Sequence, residues 1–300
     1  MMPIQFAVLA SGSRGNAALI QAGGAGLLID AGLPPRTIAK RLASVDSAWE
    51  RIASVLLTHT HGDHVNNSVL HWMTRQKVAL VCHEGHRSAL TRFSGFQALE
   101  KSRLVRSYQE SPFLSLTGLR VDPVRLHHDG GPTYGFRIDG KTERRGRWVS
   151  VGYVADTGTW TTDMVEALAD VDLLGVEFNH DVMLQRNSGR APALIARVLG
   201  DRGHLSNGQA AEFVVAVLER SKPGTVRHLV LLHLSQECNR PELAETAAQS
   251  AVRLSGRRAA VHAALQNSAF PDVRVPPNRR QPTVVRPSLT ARTGLMSLAG

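Results

Sequence analysis

The stretch Thr58-His59-Thr60-His61-Gly62-Asp63-His64 directly follows an apolar run from Ile52 to Leu57. The run is typical of a buried strand, so the stretch lies where that strand ends. It carries four side chains that bind metal ions, and imidazole and carboxylate groups suit zinc and other divalent metals. A hydrophobic core has no need of so many histidines at one strand-to-loop corner. The stretch therefore predicts a metal site.

The spacing within this stretch indicates how many ions it serves. His59 and His61 are two residues apart in extended chain, so both can face one ion. Asp63 and His64 stand at the start of the following helix and face elsewhere. This favours two ions with a shared ligand. It differs from the helical His-Glu-x-x-His pattern, in which two histidines one turn apart bind a single zinc.

Composition limits the class of protein. A chain of 300 residues that is 43% hydrophobic can build one large domain or two small ones. Its net charge of +10 favours anionic partners such as nucleic acid or phosphate esters. The two distant cysteines, Cys82 and Cys238, favour a reducing compartment. The apolar segment 6–10 is too short for a secretion signal, and no run approaches a membrane span. We expect a cytoplasmic protein without a membrane partner.

The predicted elements mix strands and helices. Three short strands separated by glycine-bearing turns predict an antiparallel opening sheet, and strands then alternate with helices. Strands are predicted at 3–10, 17–21, 26–30, 54–57, 78–82, 119–126, 135–139, 148–155, 171–176 and 228–232, and helices at 35–42, 65–76, 84–93, 161–169, after a Ser206 N-cap, and at 241–254. Two sheets covered outside by helices would satisfy this order. We expect one domain over 1–270 and a disordered basic tail over 276–300, which is rich in Pro, Arg, Ser and Thr.

Metal-binding and acidic side chains recur at the ends of the predicted strands. Each of five such residues follows an apolar strand-like run: His59, His128, Asp156, Glu177 and His233. Strand ends at one edge of a sheet lie close together, and the loops there are where sites are built. The sequence therefore predicts that these five residues share one site.

The stretch also carries a family resemblance. His59-Thr60-His61-Gly62-Asp63-His64 resembles the His-x-His-x-Asp-His signature of the metallo-β-lactamase fold, and Asp30 resembles that fold's early structural aspartate. Over residues 3–265 the chain is similar to the YycJ/WalJ-like group, bacterial proteins akin to DNA exonucleases. The motifs that carry this narrower resemblance are Ser11-Gly12-Ser13-Arg14-Gly15-Asn16, His128-Asp129 with Tyr134 downstream, Glu177-Phe178-Asn179-His180-Asp181, Gly203-His204-Leu205-Ser206-Asn207 and His233-Leu234-Ser235. The fold this implies is α+β, a four-layer αββα sandwich.

The resemblance also implies a set of metal ligands. One ion would take His59, His61 and His128, and a second would take Asp63, His64 and His233, with Asp156 bridging the two. His127 is an alternative to His128, but His128 is the one followed by Asp and Gly as in the family. The expected cofactors are two divalent ions, zinc or manganese, because ligand type does not separate them.

The resemblance assigns catalytic and substrate-binding roles as well. Two ions would lower the pKa of a shared water, and the resulting hydroxide would attack phosphorus in line. The catalytic residues would be Asp63, Asp156, Glu177 and His204, with His204 as general acid or phosphate ligand, oriented by Glu177. Substrate would contact Ser11, Ser13, Arg14, Asn16 and His204. Roles without function remain open for some of these residues. The loop 11–16 can be an ordinary glycine-rich turn, Glu177 can form a loop salt bridge, and His204 can shape the turn before its helix.

The expected function is that of a metal-dependent hydrolase, a phosphodiesterase acting on nucleic acid as a DNA exonuclease does. Two alternatives stay open, because the fold fixes the water and not the substrate. One is hydrolysis of a small ester such as a cyclic phosphodiester, thioester or lactone, and the other is a metal-stabilised signalling protein without turnover. Basic segments at 141–147 and in the tail suit a polyanion, whereas aromatic residues at 5% do not indicate a base-stacking platform. The sequence does not predict an oligomeric state.

Overall fold

The computed structural model describes residues 4–141 and 148–276. Within them the strands are β1 (Ile4–Ala10), β2 (Ala17–Ala22), β3 (Ala25–Ile29), β4 (Ile52–Leu56), β5 (Ala79–His83), β6 (Val105–Tyr108), β7 (Phe113–Leu114), β8 (Arg120–Leu126), β9 (Thr133–Lys141), β10 (Trp148–Val154), β11 (Leu173–Glu177), β12 (His228–Leu232), β13 (Ala260–Ala263) and β14 (Asp272–Val275). The α-helices are α1 (Pro35–Ala43), α2 (Asn67–Gln76), α3 (Arg87–Leu90), α4 (Ser94–Lys101), α5 (Thr162–Leu168), α6 (Val182–Arg186), α7 (Pro192–Leu199), α8 (Asn207–Arg220) and α9 (Pro241–Leu254). Short 3₁₀ turns occupy Trp49–Arg51 and Glu84–His86.

The strands form two sheets of seven, ordered β14-β1-β2-β3-β4-β5-β6 and β13-β12-β11-β10-β9-β8-β7. In the first sheet β1, β2 and β3 pair antiparallel, as the glycine-bearing turns predict. Strand β14 adds to β1 in antiparallel fashion, and β3 to β6 pair parallel. The second sheet has the same plan, with β7 to β10 antiparallel and β10 to β13 parallel. The parallel half of each sheet brings its strand ends to one edge.

Alternation along the strands builds the core between the sheets. In β1 the side chains of Phe6 and Val8 pack against the second sheet, whereas those of Ala7 and Leu9 pack toward the helices. In β12 Val230 faces the sheet interface and its neighbours face the other way. Successive side chains of a strand point to opposite faces, so two apolar faces require cover on both sides.

Helices supply the outer cover. Ile38, Leu42 and Met73 from α1 and α2 pack on the first sheet, and Phe213 and Ala248 from α8 and α9 pack on the second. The predicted α+β class and αββα order are therefore confirmed. None of the helices in the described part of the chain is long and apolar enough to cross a membrane.

Local signals explain where several helices begin. Ser206 caps α8 in a capping box with Gln209, as its position predicted. Proline opens α1 and α9, where the first amide has no partner within the helix. The helix predicted from residue 65 instead begins at Asn67, because the Asn66 side chain accepts a hydrogen bond from the amide of Val69.

Several elements had no counterpart in the sequence-based expectation: β6, β7, β13, β14, α4, α6 and α7. The helix predicted over 84–93 is instead a 3₁₀ turn, capped by the His83 side chain at the Gly85 amide, followed by α3, which ends at Leu90. Strand β14 pairs with β1 at residues 272–275, so the first sheet continues past the expected domain boundary at residue 270. The single domain over 1–270 stays a prediction. Residues 142–147 of the expected hairpin turn and 277–300 of the expected tail lie outside the described residues.

Candidate metal centre

The predicted site residues lie at one edge of the two sheets. Asp30 and His59 follow β3 and β4, which pair in parallel, and Asp156, Glu177 and His233 end or follow the parallel strands β10, β11 and β12. His128 joins them because β8 is antiparallel to β9, which is antiparallel to β10. The structure thus brings together strand ends from both sheets.

Three histidines form the first ligand cluster. Ring centroids lie 4.7 Å apart for His59 and His61, 5.2 Å for His59 and His128, and 5.1 Å for His61 and His128. His59 and His128 are buried and His61 is half-buried. One nitrogen from each ring lies within 4.8 Å of the others, which makes the cluster a possible three-nitrogen metal site.

A second cluster lies beside the first and includes two carboxylates. The Nε2 atom of His64 is 3.6 Å from Asp63 Oδ2, and Nε2 of His233 is 3.9 Å from the same oxygen. Asp156 places Oδ2 2.9 Å from His64 Nε2 and Oδ1 3.0 Å from His233 Nδ1. Asp156 also groups with His59 and His64 within 4.8 Å. It therefore stands between the two clusters, where a bridging ligand is expected.

Two buried nitrogen atoms indicate that these residues suit metal ions. The Nε2 atoms of His59 and His233 are buried and have no hydrogen-bond partner among the described residues. A buried polar atom without a partner costs about 1–3 kcal/mol, so such atoms need a ligand. A mixed set of imidazole and carboxylate donors suits zinc, manganese or iron. The donor set therefore fits divalent ions.

A backbone carbonyl and a threonine hydroxyl orient two histidines of the first cluster. His128 donates from Nδ1 to the carbonyl of Gly203 at 2.9 Å, which directs Nε2 toward the site. The Thr58 hydroxyl donates to Asp30 at 2.8 Å, so its oxygen accepts from Nδ1 of His59 at 3.0 Å. Partners of this kind fix the ring tautomer that a metal ligand requires. Sequence reasoning gave Thr58 no role.

Asp30 orients a histidine of the second cluster in the same way. It is buried and accepts hydrogen bonds from the Thr58 amide at 2.8 Å and from His64 Nδ1 at 2.7 Å. Burial raises the pKa of Asp30, although His64 acts against that rise. The structural aspartate suggested by the sequence thus positions a ligand.

Three residues of the centre hold a left-handed backbone conformation. Asp30, Asp156 and His233 have φ values of 58°, 61° and 54°. Non-glycine residues rarely adopt this region, and each such residue costs on the order of 1–3 kcal/mol unless its surroundings enforce it. Each stands within two residues of the end of a strand, where the chain must turn sharply to aim a side chain at the site. No sequence pattern indicated this strain.

The histidines of the two clusters have pKa values shifted in opposite directions. Burial and neighbouring histidines hold the pKa of His59 well below its usual value, and burial also lowers the pKa of His61. Burial opposes protonation of His64 and His233 too, but nearby carboxylates outweigh it, led by Asp30 for His64 and Asp156 for His233. They raise the pKa of His64 well above its usual value and that of His233 to about 10. The second cluster therefore holds protons that a metal must displace.

Buried Glu177 and partly exposed His204 form a pair beside both clusters. Nδ1 of His204 donates to Oε1 of Glu177 at 2.7 Å and lies 3.3 Å from Asp156 Oδ1. The His204 ring centroid is 5.0 Å from that of His128 and 5.1 Å from that of His233. Burial acts to raise the pKa of Glu177, yet the two histidines at its carboxylate lower it to about 2. The carboxylate is thus charged at neutral pH and orients His204.

The loop 11–16, predicted to bind substrate, divides into two parts. Ser11 and Asn16 are buried: Ser11 Oγ accepts from the His233 amide at 2.7 Å, and the Asn16 side chain contacts His64 Nε2 at 3.0 Å. These two residues therefore hold metal-ligand candidates. Ser13 and Arg14 are exposed and are the members of the loop that can meet a substrate.

Some residues near the site differ from the expected set of metal ligands and catalytic residues. His127 is exposed and belongs to neither cluster, which agrees with the choice of His128. Asn179 donates to the His233 carbonyl at 3.0 Å, and Asp181 caps α6. Arg197 pairs with Asp129, a contact that sequence reasoning missed because α7 is distant in the chain. Of these residues, only Asn179 and Asp181 could have been expected from the sequence, because both lie within a family motif.

The family of the chain follows from a direct match. A family model described as a beta-lactamase superfamily domain matches residues 26–234, most of the chain. The protein belongs to this superfamily, and its structure has the metallo-β-lactamase fold. It is accordingly a metal-dependent hydrolase of that family.

Two curated relatives narrow the resemblance. The exodeoxyribonuclease WalJ of Streptococcus pneumoniae serotype 2 is 29% identical over 250 residues, covering 80% of this chain and 85% of that protein. The exodeoxyribonuclease YycJ of Bacillus anthracis is 24% identical over 257 residues, covering 85% and 91%. The resemblance to the YycJ/WalJ-like group is confirmed.

Solved structures agree on the fold. The metallo-beta-lactamase fold protein YhfI from Bacillus subtilis superimposes with a TM-score of 0.62 at 18% identity, covering 90% of this chain and 100% of that one. Yeast PDE1 gives a TM-score of 0.64 at 12% identity, covering 89% and 99%. At these identities the likeness concerns the fold alone.

Proposed function

We propose that the protein hydrolyses phosphodiester bonds of nucleic acid and acts as a DNA exonuclease. The observation that carries the proposal is the position of His204, held at 2.7 Å by Glu177 beside both ligand clusters. Departure of a nucleotide oxygen requires a proton donor, and a partly exposed imidazole fixed by a buried carboxylate suits that role. The names of the WalJ and YycJ relatives support the same reaction class.

The metal ligands proposed are those that the two clusters contain. His59, His61 and His128 would hold one ion, Asp63, His64 and His233 a second, and Asp156 would bridge. Two divalent ions, zinc or manganese, supply positive charge that lowers the pKa of a water and offsets charge on the phosphate. Three histidines in one set, and two histidines with a carboxylate in the other, suit this task.

The protein's own side chains then manage protons and orientation. Asp156 Oδ1 lies 3.3 Å from His204 Nδ1 and 3.0 Å from His233 Nδ1, and its charged carboxylate would orient the attacking water. Burial acts to raise the pKa of Asp156, but the histidines around it, led by His233, hold that pKa well below its usual value. His204 gives its proton to the leaving oxygen, while Glu177 keeps the ring in place. Exposed Ser13 and Arg14 are the proposed phosphate contacts of the loop 11–16.

The test is degradation of end-labelled DNA by purified protein supplied with manganese or zinc. We expect release of label by the wild type and none by the Asp63→Ala, His64→Ala variant, whose second ligand set is incomplete. Activity confined to small phosphodiesters, thioesters or lactones would contradict the proposal. A metal-replete protein inert on all of these esters would favour the signalling alternative.

A further inference from the structure

Three arginines from different loops and helices gather on one side of the candidate centre. Arg92 follows α3 and donates to the carbonyl of Thr60 at 2.9 Å. Arg202 donates to the carbonyl of His128 at 3.4 Å. Arg197 on α7 binds the carboxylate of Asp129 through two nitrogens, one of them at 3.0 Å. We refer to Arg92, Arg197 and Arg202 as the rim arginines.

The rim arginines all contact the segments that carry the first ligand cluster. Thr60 lies between His59 and His61, and Asp129 directly follows His128. The Asp129 carboxylate is 3.4 Å from His128 Nε2. Among the described residues, the hydrogen bonds and ion pairs of the three guanidinium groups are with Thr60, His128 and Asp129. The positive charge therefore lies beside the first ligand cluster.

Their donors are largely free for a ligand. Each guanidinium has five N–H donors, and Arg92 and Arg202 each use one on a backbone carbonyl. All three residues are exposed. Among the described residues, only Arg197 of the three has a carboxylate partner. A backbone carbonyl fixes a guanidinium without neutralising it, so the rim keeps net positive charge where an anion can reach it.

We propose that the rim arginines bind the phosphodiester backbone of a DNA strand next to the bond that is cut. This rests on the proposed function and extends it to the path of the strand, which leaves the centre over the first ligand cluster. Guanidinium groups pair with phosphate through two parallel hydrogen bonds, which gives position as well as charge. A small ester does not extend beyond the centre, so the rim selects a polymeric substrate.

The experiment compares Arg92→Ala, Arg202→Ala with a charge-matched control. The control variant, Arg51→Ala, Arg253→Ala, also removes two exposed arginines. Arg51 precedes β4 and Arg253 lies in the last turn of α9, before β13, so both lie at the sheet edges opposite the centre. Arg197 is left intact, because its removal would release Asp129 beside the ligand histidines.

Binding is measured by fluorescence anisotropy with a labelled single strand of about 16 nucleotides, in a chelator so that no cleavage occurs. We expect the rim variant to bind about tenfold more weakly or worse, since it loses two charge-assisted contacts. The slope of log affinity against log salt should fall by roughly 1.4, from two contacts at about 0.7 each. The control should bind as the wild type does, apart from a small uniform loss.

Activity assays separate this inference from the proposed function. With metal, the rim variant should lose activity on the long strand while hydrolysis of bis(p-nitrophenyl) phosphate stays within about twofold, because that small ester does not reach the rim. If the wild type cleaves DNA and the rim variant binds it like the control, the rim proposal alone is wrong. If the wild type neither binds nor cleaves DNA but hydrolyses small esters, both proposals fail.

Discussion

One oxygen of Glu177 serves both His204 and His233, at 2.7 Å from Nδ1 of the first and 2.9 Å from Nδ1 of the second. The candidate proton donor and a candidate metal ligand are therefore fixed by the same buried carboxylate. A change at His204 leaves Glu177 with His233 as a partner, so the metal set can survive it. This permits chemistry and metal binding to be tested separately.

We expect His204→Gln to lower kcat on DNA by about 10²–10⁴-fold with metal content unchanged, because it removes a general acid and no ligand. The same variant should hydrolyse bis(p-nitrophenyl) phosphate nearly as well as the wild type, since p-nitrophenolate leaves without a proton. Steady-state kinetics on both substrates and elemental analysis provide the measurements. An equal loss on both substrates would show that His204 does not act as the acid.

Metal loading should depend on pH in two stages. Carboxylates raise the pKa of His64 well above its usual value and that of His233 to about 10, whereas burial lowers the pKa of His59 and His61. The first cluster therefore binds metal without releasing protons from His59 or His61, and the second releases about two. Its apparent affinity should rise up to tenfold per pH unit for each proton displaced. Metal titration from acid to alkaline pH should show about one bound ion becoming two, and a stoichiometry independent of pH would contradict this.

The same shifts set a stability trend for the metal-free protein. The folded-state pKa of His233, about 10, lies above the ordinary value of 6.5. Its protonation therefore stabilises the fold fully below about pH 6.5, and this contribution is lost as pH rises toward 10. Chemical unfolding in the presence of a chelator should give a lower free energy of unfolding at pH 9 than at pH 7. His233→Gln should reduce this difference.

Asp30→Asn should weaken binding of the second ion more than binding of the first, because Asp30 contacts His64 directly and supports His59 only through Thr58. Its 2.7 Å hydrogen bond orients His64, and loss of such a support typically costs about 10–100-fold in metal affinity. Competition with a chelator should reveal one strongly weakened site and one whose affinity changes less. Equal weakening of both sites would indicate a general loss of structure, which circular dichroism would also detect.

Gly130→Ala should disturb the first cluster, and Gly62→Ala should not. A Cβ atom at Gly130 would lie 2.6 Å from Cδ2 of His59, so that ring would have to move, and 3.2 Å from Cε1 and Nε2 of His61, a tight contact. At Gly62, inside the metal-binding stretch itself, a Cβ atom meets nothing within 4 Å. Metal stoichiometry should drop toward one ion for Gly130→Ala and stay at the wild-type value for Gly62→Ala. The reverse order would exclude a site at His59 and His61.

Much of the architecture could be predicted because its signals are local. The apolar runs of β1 and β12, the proline that opens α9 and the Ser206 cap each act over a few residues, and the structure agrees at each. The helix expected over 84–93 is shorter than predicted, because His83 caps a 3₁₀ turn over Glu84–His86 and α3 ends at Leu90. Strand β14 was missed because it is short and gains its identity only by pairing with β1.

By itself the sequence predicted the fold class and four candidate ligands, because the order of strands and helices and a six-residue motif are contained in short stretches of chain. Only the tertiary structure showed that Glu177 contacts His233 as well as His204, that Ser11 and Asn16 lie behind the candidate ligands, and that the rim arginines contact the segments of His59, His61 and His128. These contacts depend on register between strands and on strained turns such as that of Asp156. Such geometry arises only when both sheets pack, because residues far apart in the chain share no local pattern.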